Sequence, residues 1–190
     1  MDYRRIFRPG GTFFFTVVTF KRFEILCTPI ARRLLRRVMR ECRGQWPFEI
    51  NAIVLLPDHL HTVWTLPEAD AEYSQRWGWI KKTFTQQWLS TGGMERAVSE
   101  GKMNDGRRGV WQPKFFEHTI RDQDDFNKHL DYIHYNPVKH GLVSCPHQWE
   151  WSSFHRWMRS DGYANDWQCV CNGPAMERPD FDGMALTQME

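Results

Sequence analysis

The order of elements in the chain predicts an α+β fold of the ferredoxin-like kind, an antiparallel sheet built as β-α-β-β-α-β. Three observations carry that expectation: a β-branched and aromatic run at residues 12–20, a strand-turn-strand pattern over 47–66, and amphipathic helical segments after the first and third strands. An additional helical segment towards the C-terminus, near 122–135, is surplus to that order. It is free to cover the sheet face that the first two helices leave bare.

Each element has a local reason. Gly10-Gly11 marks the start of the first strand, TFFFTVVTF. Thr28-Pro29 opens the first helix with proline in its first turn. Ile30, Leu34 and Val38 repeat every four residues there, while Arg32, Arg33, Arg36, Arg37, Arg40 and Arg43 fill most of the remaining surface. PFEINAIVLL and HLHTVWTL are strands joined by a tight turn at Pro57-Asp58. Residues 71–89, AEYSQRWGWIKKTFTQQWL, form the second helix despite Gly78. The stretch 90–110 is rich in Gly, Ser, Asn and charge and reads as a loop. WQPKFFEHTI is a fourth strand in which Pro113 favours an edge or bulge. The additional helix begins near Asp122, among acids that suit its dipole, and stops at Asn136-Pro137. WEWSSFHRW follows; the division expected is one domain over 1–156 and an acidic tail over 157–190.

With 41% hydrophobic residues in 190, the chain can bury one ordinary core without staples. It has no uninterrupted apolar run of about 18 residues, and its N-terminus lacks a signal-peptide core; the reading is a cytoplasmic protein with no membrane partner. Its net charge of +2 conceals an asymmetry, because residues 1–43 hold eleven Lys/Arg against three Asp/Glu. A basic front suggests a polyanion such as nucleic acid, the other reading being a solvated helix face. Ten tryptophans and thirteen phenylalanines supply rings for a core and for stacking on bases. The five cysteines are odd in number and scattered, which argues against a disulfide framework. Cys169 and Cys171 are too close in sequence for an ordinary disulfide and have no matching zinc-knuckle pair, so they read as incidental.

Chemistry concentrates in two places. In an extended strand His59 and His61 point to one face while Leu60 points to the other. On the additional helix, Tyr132 and Asn136 are four apart and share a face. If the two faces meet, two imidazoles and an amide oxygen converge beside a phenol, where an ion could polarise a phosphate oxygen and the phenol could form a covalent intermediate. Taken singly, each part has a plain structural reading: a strand histidine pair, a core tyrosine, a capping asparagine. The H-E-x-x-H and C-x-x-C metal patterns are absent.

His59-Leu60-His61 resembles the His-hydrophobic-His motif of the HUH endonucleases, and Tyr132 with Asn136 resembles their single tyrosine and third ligand. GGTFFFTV, FEINAIVLLPDHLHTVWTLPE, IKKTFT, WQPKFFEHTIR and DYIHYNPVKHGLV, across residues 3–156, together resemble the REP-associated tyrosine transposases. The resemblance implies a divalent ion, magnesium or manganese, and cleavage of single-stranded DNA near folded repetitive extragenic palindromes. A 5′-phosphotyrosine link and a free 3′-hydroxyl would result. Carried over residue by residue, His59, His61 and Asn136 are the metal ligands and Tyr132 the nucleophile. Tyr135 is the rival phenol, but it adjoins Asn136 and is about 100° from it on the helix, and His134 is also off that face. For DNA contacts, Arg4, Arg5 and Arg8 precede Gly10-Gly11, where missing side chains allow close approach. Lys81, Lys82, Lys114 and Arg121 are phosphate candidates, whereas the arginines of the first helix read as an ordinary exposed face. The loop over 91–110 is expected to order on DNA. The tail either folds over the basic surface and restrains activity or is a solubilising extension. A monomer is expected, and the alternative on the same fold is a non-catalytic binder of DNA hairpins.

Overall fold

The computed structural model describes residues 9–171 together with 179 and 181. Four strands, β1 (Thr12–Val18), β2 (Glu49–Leu55), β3 (His59–Thr65) and β4 (Phe116–Thr119), form one sheet in the order β2-β3-β1-β4, every pair antiparallel. Helices α1 (Pro29–Gln45) and α2 (Tyr73–Ser90) cover one face and α4 (Gln123–Lys139) covers the other. This is the ferredoxin-like arrangement with its additional helix.

The sheet is sandwiched, which explains why β1 reads TFFFTVV without polar alternation: strands buried on both faces are apolar throughout. Phe13, Phe15 and Val17 join Leu60, Trp64 and the apolar stripes of α1 and α2 in one core. Phe14 turns the other way, with Ala52, Val54 and Val63, to meet Leu130, Tyr132 and Ile133 of α4. The edge strand β2 is covered as well. A bulge between Ile50 and Ala52 leaves Asn51 out of register, and its carbonyl accepts the Trp157 indole N–H at 2.9 Å. Ser153 accepts from the Ile53 amide at 2.9 Å and Trp149 Nε1 donates to the Leu55 carbonyl at 3.0 Å. Pairing an edge in this way removes a template for aggregation.

The structure corrects several local expectations. Thr28 caps α1 as its side chain accepts from the Ala31 amide, but the buried stripe runs Ala31, Leu34, Leu35, Val38, Met39, Cys42, and Ile30 is 43% exposed. The stretch 90–110 is not all loop: it carries a short helix, α3 (Glu100–Asn104), and is closed by the Arg96 amide to Gly109 carbonyl bond of 2.9 Å and a bidentate Arg108–Glu95 pair. Above all, α4 does not stop at Asn136-Pro137. It runs through Pro137 to Lys139, and its true stop is Gly141. Gly141 takes φ +67°, and the amides of Gly141 and Leu142 bond back to the carbonyls of Val138 and Pro137 at 2.9 Å each, a Schellman ending. Proline near the end of a helix forfeits one backbone bond, and the docked face outweighs that loss. Asn136 therefore lies inside the helix. The expected boundary after residue 156 falls within α5 (Phe154–Arg159), and packing continues beyond it: Tyr163 donates to Asp131 at 2.6 Å and Trp167 stacks on Phe154 at 5.9 Å.

One charge lies deep in the helical layer. Arg76 of α2 is 1% exposed and donates to Asp70 at 2.9 Å and to the Pro47 carbonyl at 3.0 Å. It joins the lead-in to β2 to the lead-in to α2. Arg76→Ala leaves a carboxylate and a carbonyl without their donor, and the stability loss expected in urea titration is about 3 kcal/mol. A loss within experimental error would mean that water replaces the guanidinium.

Candidate active site

The site lies between β3 and α4. Alternation on β3 turns His59, His61 and Val63 towards α4, as Leu60 and Trp64 enter the opposite core. On α4, Tyr132, Asn136 and the capping residue His140 recur every four residues and form one stripe. The Tyr132 ring is 5.1 Å from the His61 ring, and His140 is 5.3 Å from His59. Asn136, midway along the stripe in sequence, is buried. Tyr135 is buried too, with its ring 6.1 Å from that of Phe181. His134 faces away, with its Nε2 2.8 Å from Ser153 Oγ.

Two residues that sequence reasoning passed over orient the imidazoles. Asp58, read only as a turn residue, lies 2.6 Å from His59 Nδ1 and accepts from Arg22 at 2.9 Å. Burial would raise the Asp58 carboxyl, but the His59 contact and Arg22 outweigh it and hold the group down at about 2. Thr16, the cross-strand partner of His61, places its Oγ1 2.8 Å from His61 Nδ1. Each Nδ1 is thus occupied and each Nε2 is presented to the site, the usual way of fixing a histidine ligand. Burial, then the neighbouring His59, His140 and Lys139, pushes His61 well below its ordinary value, so it is neutral, as a ligand must be. The signal for Asp58 was the acid next to H-x-H; Thr16 needed the strand register.

The fit to an ion rests on orphaned atoms. His59 Nε2, His61 Nε2 and both side-chain atoms of Asn136 are buried with no hydrogen-bond partner. Each such group costs about 1–3 kcal/mol, so several on one side of one strand-helix seam call for a ligand. Two imidazoles and an amide oxygen are competent donors for a divalent ion. Lys139 lies on the same end of α4, its Nζ 5.0 Å from the Tyr132 ring centre. Phe181 meets the other edge of that ring at 5.2 Å and 90°.

A second histidine group closes on itself. His118 Nε2 is 2.9 Å from Asp125, Arg121 donates to the same carboxylate at 3.0 Å, and His129 Nδ1 is 2.7 Å from the Asp125 carbonyl. The His118 and His129 rings stack at 4.6 Å. Burial brings His129 from 6.5 down to about 4. As pH falls below 6.5, the unfolded chain takes up a proton that folded His129 refuses, so the stability present above that value drains away towards pH 4. Asp125, held low despite its burial by His118 and Arg121, acts in the same direction at still lower pH. Unfolding free energy should be lower by about 2 kcal/mol at about pH 5 than at neutrality from His129 alone. His129→Gln should shrink the difference between urea titrations at the two pH values; an unchanged difference would refute the assignment.

Of the expected DNA contacts, Arg4, Arg5 and Arg8 lie outside the described residues. Gly10 takes φ +68°, and a side chain there would meet the Glu68 backbone at 2.9 Å, so its freedom serves an internal approach. Gly11 is buried and accepts from the Leu66 amide. Lys81 donates to the carbonyls of Gln112 and Pro113, and Arg121 pairs with Asp125; Lys82 and Lys114 are exposed. Lys81 and Lys82 line a cleft of about 830 Å³ with Lys102, Arg107, Arg108 and Phe20. The larger surprise is α1: Arg32, Arg33, Arg36, Arg40 and Arg43, with Arg156, line a groove of about 790 Å³ floored by Ile53 and Trp151. The repeat every three to four residues was visible in the sequence, but the opposite wall was not.

No protein-family model matches the chain. It is 41% identical over 167 residues to the REP-associated tyrosine transposase of Escherichia coli (strain K12), covering 87% of this chain and 90% of that protein. A Haemophilus influenzae relative bearing that family name is 40% identical over 166 residues, covering 87% of this chain and 92% of its own. A solved REP-associated tyrosine transposase bound to a REP hairpin superposes with a TM-score of 0.73 at 38% identity, covering 96% of this chain and 95% of that one. With that identity along nearly the whole length, the chain belongs to the REP-associated tyrosine transposases.

Proposed function

We propose that this transposase-family chain cuts and rejoins single-stranded DNA beside a palindromic hairpin, using Tyr132 as nucleophile with a divalent ion, magnesium or manganese. The observation that carries the reading is the set of orphaned donor atoms on His59, His61 and Asn136 along the seam that holds Tyr132. An ion held by those three residues would act as a Lewis acid on a phosphate oxygen, with phosphate and water completing the oxygen-rich shell that magnesium prefers. The Tyr132 phenol oxygen bonds to phosphorus and the 3′-oxygen of the upstream sugar leaves as a hydroxyl. The 5′-phosphate stays on the tyrosine until another 3′-hydroxyl reverses the step. Asp58 and Thr16 keep the imidazoles aimed, and Lys139 over the ring favours negative charge on the phenol oxygen.

The hairpin as ligand is supported by the relative solved with one, and the arginine groove and the lysine-lined cleft suit phosphates. Since one chain supplies every site residue, we infer a monomer, working where the DNA is, in the cytoplasm. The test is incubation with a labelled palindrome-bearing single strand and manganese. A covalent protein–DNA adduct that His59→Ala and His61→Ala abolish is the result expected. Tight hairpin binding with no adduct under any metal would establish instead a non-catalytic binder.

The Phe181 contact supports the restraining reading of the tail. An edge-to-face pair is worth about 0.5–1.5 kcal/mol. Phe181→Ala should therefore raise the cleavage rate by about 2- to 10-fold if the ring must leave before DNA enters. An unchanged single-turnover rate would leave the tail a passive extension.

A further inference from the structure

The cysteines expected to be incidental converge. Cys145 and Cys169 come together at disulfide-bonding distance from 24 residues apart. Cys171 brings a third sulfur to 3.0 Å from that of Cys145, and His147 Nδ1 lies 3.6 Å from the sulfur of Cys169. A disulfide uses two of these atoms and leaves a thiol and an imidazole crowded against it without purpose.

We propose that Cys145, His147, Cys169 and Cys171 form a structural zinc site. The donor set is the reason. Three thiolates and one imidazole, closed to substrate, are a tetrahedral zinc environment. The two half-sites, Cys-Pro-His and Cys-Val-Cys, each place donors one residue apart, the first at the start of a short 3-10 turn, Pro146–Gln148, which Cys145 precedes. The backbone holds the half-sites side by side through the Val170 amide to Ser144 carbonyl bond of 3.0 Å. Gln148 fastens the first half-site by accepting from the amides of Ser144 and Cys145 at 3.1 Å each. His147 Nδ1 is also 3.0 Å from the Asn165 carbonyl, a bond kept if Nε2 turns to the ion and exchanged for the metal if Nδ1 binds it. An enzyme of intracellular DNA, as proposed above, works in a reducing medium. There, two equivalents of a small thiol reduce any Cys145–Cys169 disulfide to two thiols and become a disulfide themselves. Zinc then displaces the thiol protons. The site ties the segment after α5 to the turn that follows the Tyr132 helix, so it clamps the C-terminal end of the fold to the helix bearing the nucleophile.

The experiment is metal and thiol analysis of the full chain, purified with a phosphine reductant and without a metal-affinity step. One zinc per chain should survive gel filtration, and all five cysteines should titrate after denaturation with a chelator. Cobalt substitution should bring thiolate-to-metal charge transfer and the intense visible bands of a tetrahedral ion. Cys169→Ser with Cys171→Ser should lower tightly held zinc from one to zero, whereas His59→Ala with His61→Ala should retain it, which separates this site from the nucleolytic one. No zinc in the reduced chain, whether five thiols titrate or three (a disulfide that resists the phosphine), would overturn the proposal. So would zinc that disappears with the histidine pair and persists without the cysteines. The cobalt spectrum of the unmodified chain decides the matter even if the serine variant fails to fold.

Discussion

Tyr132→Phe is expected to abolish the covalent protein–DNA adduct and to lower strand cleavage on the order of a thousandfold or more, with hairpin affinity changed by less than about twofold. The ring keeps its contacts with His61 at 5.1 Å, Phe14 at 6.0 Å and Phe181 at 5.2 Å. Only the proposed attacking atom is removed, and Tyr135, next to Asn136 and about 100° from it on the helix, does not share the stripe. Denaturing gels after incubation with end-labelled strand and manganese provide the readout. An adduct that persists in Tyr132→Phe and disappears in Tyr135→Phe would reassign the nucleophile.

Asn136→Leu should act in opposite directions on stability and on activity. The Asn136 amide is buried with both polar atoms unpartnered among the described residues. Replacing it by an apolar side chain of similar volume should stabilise by about 1–2 kcal/mol in urea titration. The same change removes the proposed third donor and should lower cleavage on the order of a hundredfold. A residue kept for structure would give the reverse, a loss of stability with cleavage intact. Adding manganese should stabilise the unmodified chain and do little for the variant, since a ligand stabilises only the state that binds it.

These two residues also mark how far the sequence could be read. Helix and strand faces follow from local periodicity, so the pairing of Tyr132 with Asn136 and of His59 with His61 was legible, as was the Thr28 cap. The expectation that α4 ends at Asn136-Pro137 failed because proline's cost is local whereas the docked face and the Gly141 ending that outweigh it lie beyond the window. Ile30 fits the four-residue repeat of α1 and still faces solvent, because the width of a helix's buried stripe is set by what packs on it. The arginines read as an ordinary exposed face became one wall of a groove for the same reason.

What the sequence determined by itself is the order of elements, the face each side chain takes and the chemical types offered on those faces. The tertiary structure decided which faces meet. It placed Thr16 opposite His61 through strand register, set α4 over β3 so that Tyr132 meets His61 and His140 meets His59, and brought three cysteines and a histidine together. Periodicity is a property of a few neighbouring residues; a site is a property of contacts between segments far apart in the chain, and only packing of the two cores against one sheet settles those.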